Sequence, residues 1–362
     1  MLMVTLDKTC RTVNGLDINY LEVYKNNIQK LLNNDLDLDL SFISSLQKDG
    51  RGNIAPVTII LPTLAMEAKL QCEEETSGKY DDTILTEYFM NLLEKKIEEA
   101  KDMLIERFNW ICKQPMDSAK FMYENGTMAG YNEKEGIVSA LKHGTLTIGL
   151  LGMNETTHAL YGLNHFEGLG KELTDKVVGM YVQKCKEYKE SLHLNFAVYY
   201  TPAENLCHTA LKNFRKKYGV IPGVSDRDYF TNSIHVPVWK EISPFDKIDI
   251  ESELTGYSSA GCITYVELDG GMEKNVEALE ILVNYAMDKD IPYFAINVPN
   301  DTCLECGYTG EFNDVCPMCG SHKIQHLRRV TGYLTGDYKT AFNYGKQKET
   351  EDRFRHTTRR II

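Results

Sequence analysis

Cys303-Leu304-Glu305-Cys306, nine further residues, Cys316-Pro317-Met318-Cys319 and then Arg328-Arg329-Val330-Thr331-Gly332-Tyr333-Leu334 form the most telling stretch of the chain. Each Cys-x2-Cys pair suits a short hairpin that presents two sulfurs to one ion, and the spacing lets four thiolates close a tetrahedral shell around zinc. A closed shell leaves no position for substrate, so the expected zinc on Cys303, Cys306, Cys316 and Cys319 is structural. The glycine between Thr331 and Tyr333 would, alone, signal a turn or a bulge.

Upstream, β-branched apolar runs recur at residues 57–61, 146–150, 196–200, 263–266 and 293–296, with helical patterns between them at about 84–111, 169–191, 204–217 and 274–288. Strands that alternate with helices predict an α/β sheet whose strands are covered on both faces. Thr201-Pro202-Ala203-Glu204 comes after one such run and reads as a helix start, with Thr201 as cap, Pro202 in the first turn and Glu204 as the returning capping-box partner. Such a start also offers N–H groups to a phosphate. The acidic, polar stretch at about 16–48 reads as a surface insertion.

Composition narrows the class. A chain of 362 residues that is 43% hydrophobic can bury a substantial core. Its net charge of -12 argues against bulk binding to nucleic acid or to an anionic membrane. Neither a signal-type leader nor an apolar run of about 18 residues is present, which predicts a cytoplasmic protein without membrane contact. Ten cysteines in that compartment read as ligands, buried thiols or catalytic thiols rather than disulfides.

The four-cysteine motif joined to Arg-Val-Thr-Gly-Tyr resembles the C-terminal radical domain of class III (anaerobic) ribonucleotide reductases, which are glycyl-radical enzymes. The resemblance continues through Gly345-Lys346-Gln347-Lys348-Glu349, Thr201-Pro202-Ala203-Glu204-Asn205-Leu206-Cys207, Thr231-Asn232-Ser233-Ile234-His235-Val236 and Gly50-Arg51-Gly52-Asn53, and covers nearly the whole chain. It implies the second half of a ten-stranded α/β barrel with a finger-loop cysteine. Residues 1–300 are then a partial barrel, 301–327 the zinc ribbon and 328–362 the radical loop and tail.

The same resemblance implies roles. Gly332 would store the radical and Cys10, in Cys10-Arg11-Thr12, would become the thiyl that abstracts the 3'-hydrogen. Glu204 would assist loss of the 2'-hydroxyl as water, and Asn53 would hold formate, the expected reductant. Thr201, Pro202, Ala203, Asn232, Ser233 and His235 would line the pocket for a ribonucleoside triphosphate. Expected partners are a radical-SAM iron-sulfur activase and a second copy of the enzyme. Since the family places an ATP cone, a specificity region and the first half-barrel before the cysteine loop, the chain is expected to work with an N-terminal half that would bring the ATP and dNTP effectors. A pyruvate-formate-lyase-like enzyme and a non-catalytic zinc-ribbon subunit are the alternatives.

Overall fold

The computed structural model describes residues 2–5, 52–128, 130–142, 144–270, 275–312, 314–330, 333–334 and 337–356. Cys10, Gly332 and the expected insertion at 16–48 lie outside them. Among the described residues the first strand is β1 (Leu2–Thr5), followed by β2 (Asn53–Ile60), β3 (Thr145–Leu151) and β4 (Asn195–Tyr199). β2, β3 and β4 make a parallel sheet in sequence order, with Thr58, Gly149 and Tyr199 side by side. All seven residues of β3 are buried, as a central strand covered on both faces requires.

Helices α1 (Leu61–Glu75), α2 (Asp82–Cys112), α3 (Met153–Tyr161), α4 (Gly168–Leu192) and α5 (Glu204–Tyr218) connect and cover this sheet. α2 buries Leu85, Phe89, Leu93, Ile97, Ala100, Leu104 and Phe108, a stripe at steps of three and four that faces the core. Asp81 caps this helix by accepting from the Ile84 amide at 2.9 Å. The apolar run that reads as strand through Leu61 turns into helix at that residue, with Pro62 in the first turn where its missing N–H costs nothing.

A second three-stranded sheet has the order β1–β6–β5, with β5 (Thr264–Glu267) parallel and β1 antiparallel to β6 (Tyr293–Asn297). Helices α6 (Pro244–Thr255) and α7 (Val276–Asp288) pack a smaller core on it, built from Ile248, Val266, Leu282, Phe294 and their neighbours. The described strands thus form mixed α/β layers, and a closed ten-stranded ring is not formed among them.

β7 (Asn300–Cys303), β8 (Thr309–Gly310) and β9 (Ile324–Leu327) then make a separate antiparallel sheet. Next comes a two-stranded hairpin, β10 (Arg329–Val330) against β11 (Tyr333–Leu334), pairing Val330 with Tyr333. The chain closes back on the body through α8 (Tyr344–Glu351), which packs on α5.

Candidate active site and metal centre

The two Cys-x2-Cys segments fold into matching knuckles. In each, a glycine four residues after the first cysteine donates its amide to that cysteine's carbonyl at 2.9 Å, Gly307 to Cys303 and Gly320 to Cys316. Both glycines sit in the left-handed region, φ 75° and 72°, where a side chain would be strained. The four ligand sulfurs lie within 4.8 Å of one another, with Cys303–Cys319 and Cys306–Cys316 both at 3.6 Å. A tetrahedral zinc–thiolate shell asks for sulfur separations of about 3.8 Å, so these residues fit the ion. Backbone N–H groups of Cys306 and Glu305 aimed at Cys303 lower its thiol to about 6, which favours the thiolate that a metal needs.

Asp301, fully buried beside this knuckle, ties it to the hairpin beyond. Its carboxylate accepts from His326 Nδ1 at 2.8 Å, from the Phe312 amide at 3.0 Å and from Arg328 Nη1 and Nη2 at 2.7 and 3.1 Å. The two-pronged bond to Arg328 fixes a planar group in one orientation at the root of the β10–β11 hairpin.

Across the parallel sheet the structure brings together two of the segments singled out in the sequence. Thr201, just past β4, crosses over β3 so that its hydroxyl meets that of Thr58 on β2 at 2.9 Å. Gly149 makes room for this, since a Cβ there would collide with the Thr201 hydroxyl. Ser233 donates to the Thr201 carbonyl at 2.7 Å, which locks residues 201–204 to residues 231–235. Three non-glycine residues at this junction have positive φ: Ala203 at 28°, Glu204 at 34° and Ser233 at 43°. Each such residue costs on the order of 1–3 kcal/mol and persists only where its surroundings over-determine it.

The capping-box expectation is corrected here. α5 begins at Glu204 with Ala203 in the cap position and without a side-chain cap, because the Thr201 hydroxyl is committed to Thr58. Asn53, the first residue of β2, is exposed and donates its amide to the Ala260 carbonyl at 3.0 Å, a segment held on the far side of β4. That bond links Asn53 to the sheet rather than to Glu204.

Behind the junction lies a buried polar cluster that the sequence did not announce. Cys207 Sγ donates to Asn232 Oδ1 at 3.2 Å, Asn232 Nδ2 donates to Glu349 Oε1 at 3.3 Å, and Lys346 Nζ sits between Glu349 Oε2 at 2.5 Å and Cys207 Sγ at 3.9 Å. Burial pushes the Cys207 thiol up to about 12, with the Lys346 ammonium pulling the other way, so it stays protonated. His235 Nδ1 faces Glu251 Oε2 at 3.1 Å, and Glu251 also accepts from Val236 N and from Lys247. Burial alone would raise the Glu251 carboxyl, but Lys247 and His235 hold it well below the usual range. Asn232, His235, Lys247 and Glu349 line one cavity with Glu267, Arg353 and His356.

Glu155 on α3 and His165 in the loop after it brace the same segment. Glu155 Oε1 accepts from Thr231 Oγ1 at 2.6 Å and from Thr231 N at 3.0 Å, while its Oε2 is buried without a partner. His165 meets the Ile234 carbonyl at 2.7 Å through Nε2 and the Asn154 side chain at 3.2 Å through Nδ1. Burial lowers this imidazole to about 4, so it is neutral and donates to the carbonyl.

Burial also raises the Glu155 carboxyl to about 7, against which the Thr231 bonds act only in part. Its protonated form is therefore favoured in the folded state, and the stability it contributes is full below the unfolded value of about 4.3 and lost as pH rises through 7. Glu155→Gln mimics the protonated acid. Its stability relative to the unsubstituted protein should grow by about 1.4 kcal/mol per pH unit between about pH 5 and 7. Urea unfolding at several pH values measures this, and a gap that does not move with pH would contradict it. His165 and His356, both lowered to about 4 chiefly by burial, lose stability as pH falls below about 6.5 and are common to both proteins.

A family model described as anaerobic ribonucleoside-triphosphate reductase matches residues 8–356. The chain is similar to the anaerobic ribonucleoside-triphosphate reductases of Haemophilus influenzae, 34% identical over 323 residues, and Escherichia coli, 33% over 322 residues, in each case across 85% of this chain and 43% of the relative. The phage T4 enzyme is 31% identical over 320 residues, covering 85% of this chain and 49% of the relative. The chain thus spans less than half the length of these curated relatives.

Among solved structures, one titled anaerobic ribonucleotide reductase superposes with a TM-score of 0.66 at 20% identity, over 85% of this chain and 46% of that one. The Thermotoga maritima anaerobic ribonucleotide reductase with glycerol in the active site gives 0.62 at 20% identity, over 83% and 45%. These likenesses speak for the fold, while the family match rests on sequence. No helix among the described residues is long and apolar enough to cross a membrane. On the match over residues 8–356, the chain belongs to the anaerobic ribonucleoside-triphosphate reductase family.

Proposed function

We propose that the chain carries the radical-storage and substrate-reduction part of an anaerobic ribonucleoside-triphosphate reductase, acting with the N-terminal region that the family's longer members supply. The observation that supports this most is the joining of a four-cysteine cluster fit to hold zinc, through the Asp301–Arg328 clamp, to the hairpin strands on either side of Thr331 and Gly332. Zinc on Cys303, Cys306, Cys316 and Cys319 stiffens the ribbon and takes no part in the reaction. Cys10 gives its S–H hydrogen atom to the Gly332 Cα radical, and the resulting thiyl takes the 3'-hydrogen of the ribose. Glu204 exchanges a proton as the 2'-hydroxyl leaves as water, and formate, held by Asn53, supplies the reducing electrons. Thr201, Pro202, Ala203, Asn232, Ser233 and His235 contribute the substrate side of the pocket. A separate radical-SAM activase installs the radical, and the assembled enzyme works as a dimer in the cytoplasm.

Glycine suits storage because a backbone Cα radical is stabilised by its own amide and carbonyl and no side chain blocks approach. Such a radical captures dioxygen, after which the backbone breaks at that residue. Activated enzyme exposed to air should therefore shed the piece from Gly332 to Ile362, visible by mass spectrometry. Gly332→Ala should abolish both the cleavage and the glycyl doublet in electron paramagnetic resonance. Cleavage or doublet surviving in that variant would move the radical elsewhere.

A further inference from the structure

Two cavities meet at one ion pair. The first holds Asn232, His235, Lys247 and Glu349, and the second lies at the hairpin root among Leu327, Arg328, Arg329 and Tyr338. Glu267 on β5 and Arg353 in the segment after α8 line both. Arg353 Nη1 stands 3.0 Å from Glu267 Oε1 and also donates to the backbone carbonyl of Arg329 at 2.5 Å. Both side chains are shielded, with 10% of Arg353 and 16% of Glu267 exposed, so the pair is more than a solvent-screened surface contact.

Neighbouring contacts reinforce the same fastening. Tyr265, two residues before Glu267 and hence on the same face of β5, lies under the Arg329 guanidinium at 5.4 Å from the ring centre. The segment that bears Arg353 is itself stitched down, Phe354 N to the Val238 carbonyl and His356 N to the Glu267 carbonyl, both at 2.7 Å. Asp301 holds Arg328 from the ribbon side at 2.7 Å. Consecutive arginines at the start of the hairpin are therefore gripped from opposite directions, one by the ribbon and one by the β5 wall.

We infer that the Glu267–Arg353 pair is the positioning device of the reaction, setting where the β10–β11 hairpin stands relative to the wall that carries Asn232 and His235. This rests on the reading of Gly332 as the radical store. A hydrogen-atom transfer is sensitive to placement, and a shift of 1 Å can cost about 100-fold in rate. Arg353 reaches the hairpin through the Arg329 carbonyl, and in this inference it acts through that contact, as a positioning residue. A single nitrogen, Arg353 Nη1, meets both the Glu267 carboxylate and the Arg329 carbonyl, and a lysine ammonium in its place keeps the charge but loses the planar group that holds that nitrogen in position.

Hydrogen exchange read by mass spectrometry tests the fastening on this chain, and turnover by the native assembled enzyme tests its purpose. In Arg353→Gln, amides of the peptide 327–334 should exchange at least about tenfold faster while ribbon peptides within 300–326 and the zinc content stay unchanged. In the assembled enzyme the glycyl doublet should form, kcat should fall by about 100-fold and KM for the nucleotide should hold, with Arg353→Lys recovering part of the loss. Should Arg353→Gln fail to fold, Glu267→Gln removes the other half of the pair and decides the matter by the same readouts. A normal doublet with unchanged exchange and turnover in both variants overturns this inference alone. Absence of the doublet from the unsubstituted enzyme overturns the radical reading instead, and leaves the exchange result to stand or fall by itself.

Discussion

Cys10→Ser in the assembled enzyme should still accept a radical at Gly332 yet release no deoxynucleotide. The substitution changes one atom and keeps the side chain's volume, so loss of folding is not the issue. What changes is bond strength: a hydroxyl O–H is too strong to yield its hydrogen atom to a glycyl radical, whereas a thiol S–H is well matched. The expected pair of results is an undiminished glycyl doublet together with product at background. Turnover above background would mean that another thiol is the relay. Cys207 is the one to examine then, because it comes just after the Thr201–Glu204 turn and bonds Asn232, although its burial and its pKa near 12 suit a protonated donor to that amide.

The second large effect concerns the end of the described chain. Lys346→Ala should destabilise the protein by about 3–5 kcal/mol, the range seen when one partner of a buried ion pair is removed. Glu349 is 1% exposed and would keep the Asn232 amide as partner for its charge in place of an ammonium. Replacing both residues by apolar ones of similar size, Lys346→Met with Glu349→Leu, should return most of that stability, since neither charge is then left alone. Thermal or urea unfolding of the two variants checks the pair of outcomes, and a single variant as stable as the parent would refute the burial argument. Gly345→Ala should act in the same direction for a steric reason. Its Cβ would stand 2.5 Å from His208 Cβ and 2.6 Å from the Asp228 carbonyl oxygen, so α8 could not keep its seat on α5.

Features set by local spacing were readable from the chain. The metal site is an instance, because the two knuckles are each complete within a few residues. The five apolar runs and the four long helical patterns also correspond to elements of the fold, since the buried stripe of α2 and the fully buried β3 leave direct traces in residue type. Helix α1 escaped because its first residue continues a strand-like run and its faces alternate weakly.

The site was legible in pieces and not as a whole. Segments 201–204 and 231–235 could be marked, but their meeting through Ser233 and the Thr201 carbonyl is a long-range contact that no local pattern encodes. The capping reading failed at Thr201 because sequence does not reveal that Ala203 and Glu204 take positive φ. Glu155 and Arg353 were missed, and Lys346 and Glu349 were marked only within the block 345–349 and without a role, for a common reason. Charged residues in polar segments look like a solvated face, and α8 is polar throughout, yet Lys346 and Glu349 point into the body of the protein.

The docking of the segment 337–356 gives oxygen damage a second meaning. A break at Gly332 severs from the rest of the chain the residues that supply Lys346, Glu349 and Arg353, so the wounded molecule has lost the covalent hold on its own inner wall. Chemical injury and loosened packing then arrive together. On the reading of Gly332 as the radical store, a chain cut there would keep residues 337–356 in place only by non-covalent contacts, and their departure would uncover Cys207 and Tyr229, which Lys346 and Asp352 now cover.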